Sequence, residues 1–272
     1  MRNQVEKAAA FRALHERSGA FIIPNPWEAG TARILAAMGF EAVATTSRGL
    51  AYMLGRASEN ISRDEVIANC RVIAEATDLP VNADLVNGFA HKPEAAAEII
   101  RLAAEAGAVG GSIEDYTGDR SKPIYEFELA VERVRAAAEV AHAIAVPFML
   151  TARAENLLHG RNDMADTVRR LQAFERAGAD VLYAPGLRNL DEVRQVVSSV
   201  NRPVNVVTGW LNPDITLAEL SEAGAKRISV GGALSRLTLS ILIKAGQDMQ
   251  ERGSFSWMRE MIGTSEVEKM LV

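Results

Sequence analysis

The sequence predicts an α/β fold, a (β/α)8 TIM barrel with an extra C-terminal helix, and three observations predict it. Short β-branched runs alternate with amphipathic helical stretches along most of the 272 residues, the rhythm of a parallel sheet with helical crossovers. Three junctions, AEAGAVGGSI, ERAGADVLYA and SEAGAKRISV, repeat one pattern in which an Ala-Gly-Ala helix end turns through glycine into a strand. Three strands end in acids or arginine: VNAD with Asn82 and Asp84, GSIED with Glu114 and Asp115, and the 147–151 run leading to Arg153 and Glu155. The C-terminal ends of strands are where a (β/α)8 barrel keeps its chemistry. A lone acid there is ordinarily a helix cap or a solvated loop residue; agreement among three strands favours a site. No GxGxxG follows the first strand, which argues against an open dinucleotide-binding sheet.

The spacing predicts an opening helix over 3–17, stopped by Gly19, then a strand at 21–24. A helix over 26–38 ends at Gly39, and a strand at 42–46 runs into a small-residue loop, Ser47-Arg48-Gly49. Ser62 and Glu65 form a capping box for a helix over 63–77, and Leu79-Pro80 introduces the third strand. From there helices at 93–106, 126–142, 163–177, 189–199, 215–223 and 232–250 alternate with strands at 108–113, 147–152, 180–184, 203–207 and 226–230. Residues 1–250 are therefore read as the barrel and 251–272 as a helical extension. Phe255, Trp257, Met258, Met261 and Ile262 make that extension too apolar to stay wet, so it packs on its own barrel or is exchanged between subunits.

Hydrophobic residues at 48% and charged residues at 24% suit a soluble protein with a sizeable core. A net charge of -5 argues against nucleic acid, which demands a basic face. No run approaches the ~18 apolar residues of a membrane span, and the N-terminus lacks a signal-peptide core, so no membrane partner and a cytoplasmic location are expected. The single Cys70, in IANCRVIAEA, reads as a buried helical residue in a reducing compartment.

Asp84, Glu114 and Asp115 are hard oxygen ligands of the kind Mg²⁺ uses with waters and substrate oxygens, and no Cys/His cluster suggests zinc. Arg153 suits a bidentate carboxylate contact or a developing enolate; its rival role is a salt bridge to Glu114 or Glu155. His15 and His142 fall in helices and read as structural, whereas His91 and His159 follow site strands and are candidates for substrate contact. The backbone of Ser47, Arg48 and Gly49, and the SVGGALS segment at 229–235, offer N–H groups to a carboxylate or phosphate; a tight turn is the rival for the second.

From about residue 18 to 250 the chain resembles the isocitrate lyase/phosphoenolpyruvate mutase superfamily. The resemblance rests on PNPWEAGTARI with TTSRGLA, on VNADLVNGFA against the Asp-Ala-Asp segment, on GSIEDYTGD against the Glu-Asp segment, and on LTARAE. It implies a barrel, Mg²⁺ dependence, a homo-oligomer (tetramer or dimer) with an exchanged C-terminal helix, and a small carboxylic-acid substrate. Carried over, Asp84 and Glu114 would hold the Mg²⁺ shell and Arg153 would bind substrate oxygens. Ser47, Arg48 and Gly49 would hold the carboxylate, and Asn205 matches a polar position on the seventh strand.

The chain also departs from the pattern. TGDRSKPIYEFE lacks the lyases' Cys and His, with Arg120 or Lys122 as stand-ins for a gating lysine; Asn82 and Ser58 replace acids, and Pro185 replaces an acid or His. The expected function is a Mg²⁺-dependent lyase cleaving a C–C bond in a small 2-oxo or 2-hydroxy acid through an enolate. Tyr116, Tyr125 and His91 are proton-transfer candidates. The alternatives are a phosphonomutase or P–C hydrolase, an oxo-acid-binding barrel without turnover, and an unrelated sugar-phosphate barrel enzyme.

Overall fold

A computed structural model describes residues 2–57 and 60–272, so Ser58 lies outside the described residues. Helix α1 (Gln4–Glu16) starts at Asn3, whose side chain and that of Glu6 cap each other's backbone N–H. Strand β1 (Phe21–Ile23) leads to α2 (Ala29–Ala37), then β2 (Val43–Ala44), α3 (Ser47–Met53) and α4 (Arg63–Ala76). Strands β3 (Val81–Asp84), β4 (Gly110–Glu114) and β5 (Met149–Arg153) alternate with α5 (Pro93–Glu105) and α6 (Phe127–Ala143). Then come α7 (Met164–Arg176), β6 (Val181–Tyr183), α8 (Leu190–Ser198), β7 (Val204–Val207), α9 (Leu217–Glu222), β8 (Arg227–Ser229) and α10 (Ala233–Arg252).

All eight strands are parallel, in the order β1-β8-β7-β6-β5-β4-β3-β2. Across the remaining seam, Ala44 N donates to Pro24 O at 3.0 Å. The sheet is thus a nearly closed (β/α)8 barrel, as the alternating pattern implied. The repeated Ala-Gly-Ala junctions work as expected: Gly107, Gly178 and Gly224 have φ of 96°, 106° and 88°, a region costly for any residue with a Cβ.

Two elements differ from the sequence expectation. Helix α2 begins at Ala29 rather than at residue 26, because the Glu28 carboxylate accepts from Gly30 N and Thr31 N at 2.8 and 2.7 Å. Ser47-Arg48-Gly49 is not a loop but the first turn of α3. Thr46 caps that turn, its hydroxyl accepting from Gly49 N at 3.3 Å, and burial of Leu50 and Ala51 holds the helix in place.

The barrel is closed at its N-terminal end. Phe11, Leu14 and His15 of α1 are buried there, with Phe11 packed among Phe21, Met149 and Val181. Gly110 is glycine because a Cβ would lie 2.9 Å from the Phe11 ring and 2.9 Å from Asn82 Oδ1. The opposite end stays open, so the inward-facing residues of β3 to β8 build layers between a plugged floor and an accessible mouth. Cys70 is buried in α4, where desolvation pushes its thiol up to about 12.

Beyond α10, Gly253 turns the chain at φ 58°, and α11 (Thr264–Leu271) packs on α2, with Arg33 Nη1 donating to Leu271 O at 2.8 Å. Among the described residues no helix is long and apolar enough to cross a membrane.

Candidate active site

Register brings the charged strand ends together: Glu114 pairs with Arg153, and Arg153 with Tyr183 on the next strand. The Arg153 guanidinium is shared by three carboxylates. Nη1 lies 3.2 Å from Asp84 Oδ1, Nη2 lies 3.2 Å from Glu114 Oε2, and Nε donates to Glu155 Oε1 at 2.8 Å. The guanidinium also sits 4.9 Å from the centroid of the Tyr183 ring. Three carboxylates thus meet one cation. Burial and the neighbouring Glu155, Asp84 and Asp115 push Glu114 well above its ordinary value despite Arg153. Burial works against the charge on Arg153, but Glu155 and Glu114 outweigh it and hold the guanidinium firmly protonated.

Helix α3 is tied to this cluster. Ser47 N donates to Asp84 Oδ2 at 2.9 Å and Asp84 N donates to Thr45 Oγ1 at 2.8 Å, so the Ser47 N–H expected to meet substrate instead positions Asp84. Asp115 does not face the mouth. It is buried, accepts from Glu155 N at 2.7 Å and pairs with Arg170 Nη1 at 3.1 Å, so its role is to hold Glu155 in line.

The loop after β3 is held in an unusual shape. Val86 and Phe89 have φ of 52° and 56°, costly for residues with a Cβ. The buried Arg133 of α6 donates to the carbonyls of Asn87, Ala90 and His91 and lies 4.3 Å from the Tyr125 ring centroid. His91 Nδ1 contacts Tyr125 Oη at 2.7 Å, so these two proton-transfer candidates engage each other behind the loop.

Above the cluster opens a cavity of about 650 Å³, lined by Ser47, Arg48, Asp84, Glu114, Arg153 and Glu155 among others. Tyr116 and His159 stack within its wall, ring centroids 4.1 Å apart and planes 8° apart, and His159 Nε2 stands 3.9 Å from Glu155 Oε2. Arg236 and Trp210 also line it, whereas Arg120 and Lys122 do not. Gly49 is buried behind the wall against Thr46 and Trp27. Asn205 lies deeper in the barrel, donating to Ser229 Oγ at 3.0 Å and accepting from Arg227 Nε at 2.7 Å. In SVGGALS, the N–H groups of Val230 and Gly231 are already taken by Asn25 Oδ1 at 3.0 and 2.8 Å, which favours the tight-turn reading.

Sequence reasoning missed Tyr183, Arg170, Arg133, Arg236 and Arg227. Tyr183 and Arg227 carried a signal, since each sits on a strand in the inward-facing parity. The helix-borne arginines carried none.

Residues 11–250 match the family model described as phosphoenolpyruvate phosphomutase. The chain belongs to this family. It stands within the isocitrate lyase/phosphoenolpyruvate mutase superfamily that its motifs resemble. A solved Burkholderia cenocepacia J2315 structure, provisionally named a lyase/mutase, is 52% identical, covers 98% of this chain and 95% of its own, and superposes with a TM-score of 0.95. A provisionally named phosphonomutase of the same organism is 33% identical, covers 90% and 99%, and has a TM-score of 0.81. The 2-methylisocitrate lyase of Escherichia coli K12 is 29% identical over 224 residues, 79% of this chain and 74% of that protein.

Proposed function

We propose that the protein is a Mg²⁺-dependent lyase that cleaves a C–C bond in a small 2-oxo or 2-hydroxy carboxylic acid through an enolate. The observation that carries this reading is the Arg153 cluster at the floor of an open cavity, one cation shared by three carboxylates. Its excess of carboxylates over cations suits a divalent cation. Mg²⁺ takes one or two carboxylates and fills its shell with water and substrate oxygens. Asp84 and Glu114 are the residues that would hold it. When bound, Mg²⁺ would supply Lewis-acid stabilisation of developing oxyanion charge.

The chain's own groups supply the rest. Arg153 presents a fixed positive charge toward the substrate carboxylate and the enolate oxygen, and Asp84, Glu114 and Glu155 keep it from moving. Cleaving a 2-hydroxy acid requires loss of the hydroxyl proton, formation of a carbonyl, departure of the electron pair as an enolate, and protonation of that carbon. The Tyr116–His159 pair beside Glu155 lines the cavity and is suited to move those protons in place of the missing cysteine. Product analysis with a panel of 2-oxo and 2-hydroxy acids, with and without Mg²⁺, tests this. Mg²⁺-dependent formation of two carbonyl or carboxylate fragments supports it, and no cleavage of any acid defeats it.

A phosphonomutase or P–C hydrolase is the second reading. Arg48 and Arg236 on the cavity wall favour it, as does the likeness to the Burkholderia phosphonomutase structure. Release of phosphate or isomerisation of phosphonopyruvate would select it. Binding without turnover of either class would point to an oxo-acid-binding barrel.

A homo-oligomer, tetramer or dimer, fits the surface. Leu237, Ile241 and Leu242 of α10 and Phe255, Met258 and Met261 beyond it are all exposed. Light scattering of the purified chain reads this directly, and a monomer would refute it.

A further inference from the structure

A second, smaller chamber of about 60 Å³ lies inside the barrel, with room for one or two water-sized occupants. Asp84, Arg153 and Tyr183 line both this chamber and the cleft, so the chamber adjoins the Arg153 cluster. Arg227 of β8 reaches into it and is 2% exposed. Its Nε donates to Asn205 Oδ1 at 2.7 Å and its Nη2 to Thr151 Oγ1 at 2.9 Å, but Nη1 is buried and meets no acceptor.

Among the described residues no carboxylate pairs with this cation. Asp84, Glu114 and Glu155 are held by Arg153, and Asp115 by Arg170. A buried, uncompensated guanidinium is costly, and desolvation pulls Arg227 down to about 9.

The surrounding groups are rich in donors. The hydroxyls of Thr45 and Ser229, which line it, each already accept a hydrogen bond, from Asp84 N and Asn205 Nδ2 respectively, so each keeps its own O–H to give. Ser112 adds another hydroxyl. Asn82 also lines the chamber, with its Oδ1 buried and without a donor. Of the charged residues lining the chamber, Arg153 and Asp84 pair with each other, and Arg227 is the cation with no carboxylate partner among the described residues.

We propose that this chamber binds one small monovalent anion, of chloride or formate size, on the free N–H of Arg227 and the surrounding hydroxyls. The site is separate from the substrate cleft and does not depend on the lyase reading. Its occupant sets the charge beneath Asp84 and Arg153, so anion identity tunes the cluster from below.

Thermal unfolding of the full chain in sodium chloride, bromide or formate, against sodium sulfate and gluconate at equal ionic strength, tests the proposal in solution. The expected result is a saturable rise in Tm of a few degrees with the small anions only, lost in Arg227→Gln. Because that variant can fail to fold, a bromide-soaked wild-type crystal supplies the independent reading. An anomalous peak within hydrogen-bond distance of the Arg227 guanidinium, together with the saturable shift, supports the site. Waters alone in the chamber, or a peak with no ion-specific shift in solution, overturns it.

Discussion

Replacing Arg133 with methionine removes the clamp on the loop that follows β3. Methionine keeps the aliphatic stem and a contact with the Tyr125 ring, but it leaves the carbonyls of Asn87, Ala90 and His91 without their donor. Hydrogen bonds from a charged donor contribute about 1.5–3 kcal/mol each, so three set a ceiling of roughly 5–9 kcal/mol. Two effects reduce that figure. The guanidinium no longer has to be desolvated, and the released loop can relax the left-handed Val86 and Phe89, each carrying on the order of 1–3 kcal/mol of strain. A net loss of about 3 kcal/mol is expected, a fall in Tm of roughly 6–12 °C for a domain of this size. Thermal unfolding reads the total, and amide exchange over residues 85–91 reads the local opening. Unchanged Tm together with unchanged exchange in that loop would refute the clamp.

The remaining predictions concern pH and proton transfer. His15 is held neutral, its folded value lowered to about 3 chiefly by burial and also by Arg227, against an unfolded value near 6.5. The unfolded state therefore binds the extra proton, so this contribution is complete above pH 6.5 and is lost as pH falls toward 3. At pH 5 the loss is about 2 kcal/mol at ~1.4 kcal/mol per unit; His15→Met should flatten urea-measured stability over that range, and an unchanged slope would rule His15 out. Tyr116→Phe should cut kcat by roughly 10²–10⁴ while leaving oxalate affinity near wild type, as expected for a group that moves a proton rather than holds substrate. A variant with wild-type kcat would remove Tyr116 from the proton path.

The barrel was legible because its signals are local and periodic. Gly107, Gly178 and Gly224 mark helix ends through a backbone conformation that glycine alone adopts cheaply, and apolar runs between them have few readings besides buried strands. The convergence of Asp84, Glu114 and Arg153 was legible for a related reason, since parallel neighbours with acids or arginine at their C-terminal ends must meet at one rim.

What stayed hidden depended on contacts distant in sequence. Arg133 and Arg170 look like ordinary helix residues until the fold carries one to the carbonyls of residues 87, 90 and 91 and the other to Asp115. Ser47-Arg48-Gly49 read as a loop because small residues favour loops; the Thr46 cap and the burial of Leu50 and Ala51 make it a helix. Asn205 was carried over from the family resemblance as a substrate contact, and its hydrogen bond from Arg227 depends on register between β7 and β8 that the sequence alone does not show.

The most direct test of the account is calorimetric titration of oxalate, an enolate mimic, into the wild-type chain and into Asp84→Ala, each with and without Mg²⁺. The account predicts binding that tightens at least tenfold with Mg²⁺ in the wild type, a gain of about 1.4 kcal/mol, and no such tightening in the variant. Oxalate affinity that is indifferent to Mg²⁺ in the wild-type protein would contradict it.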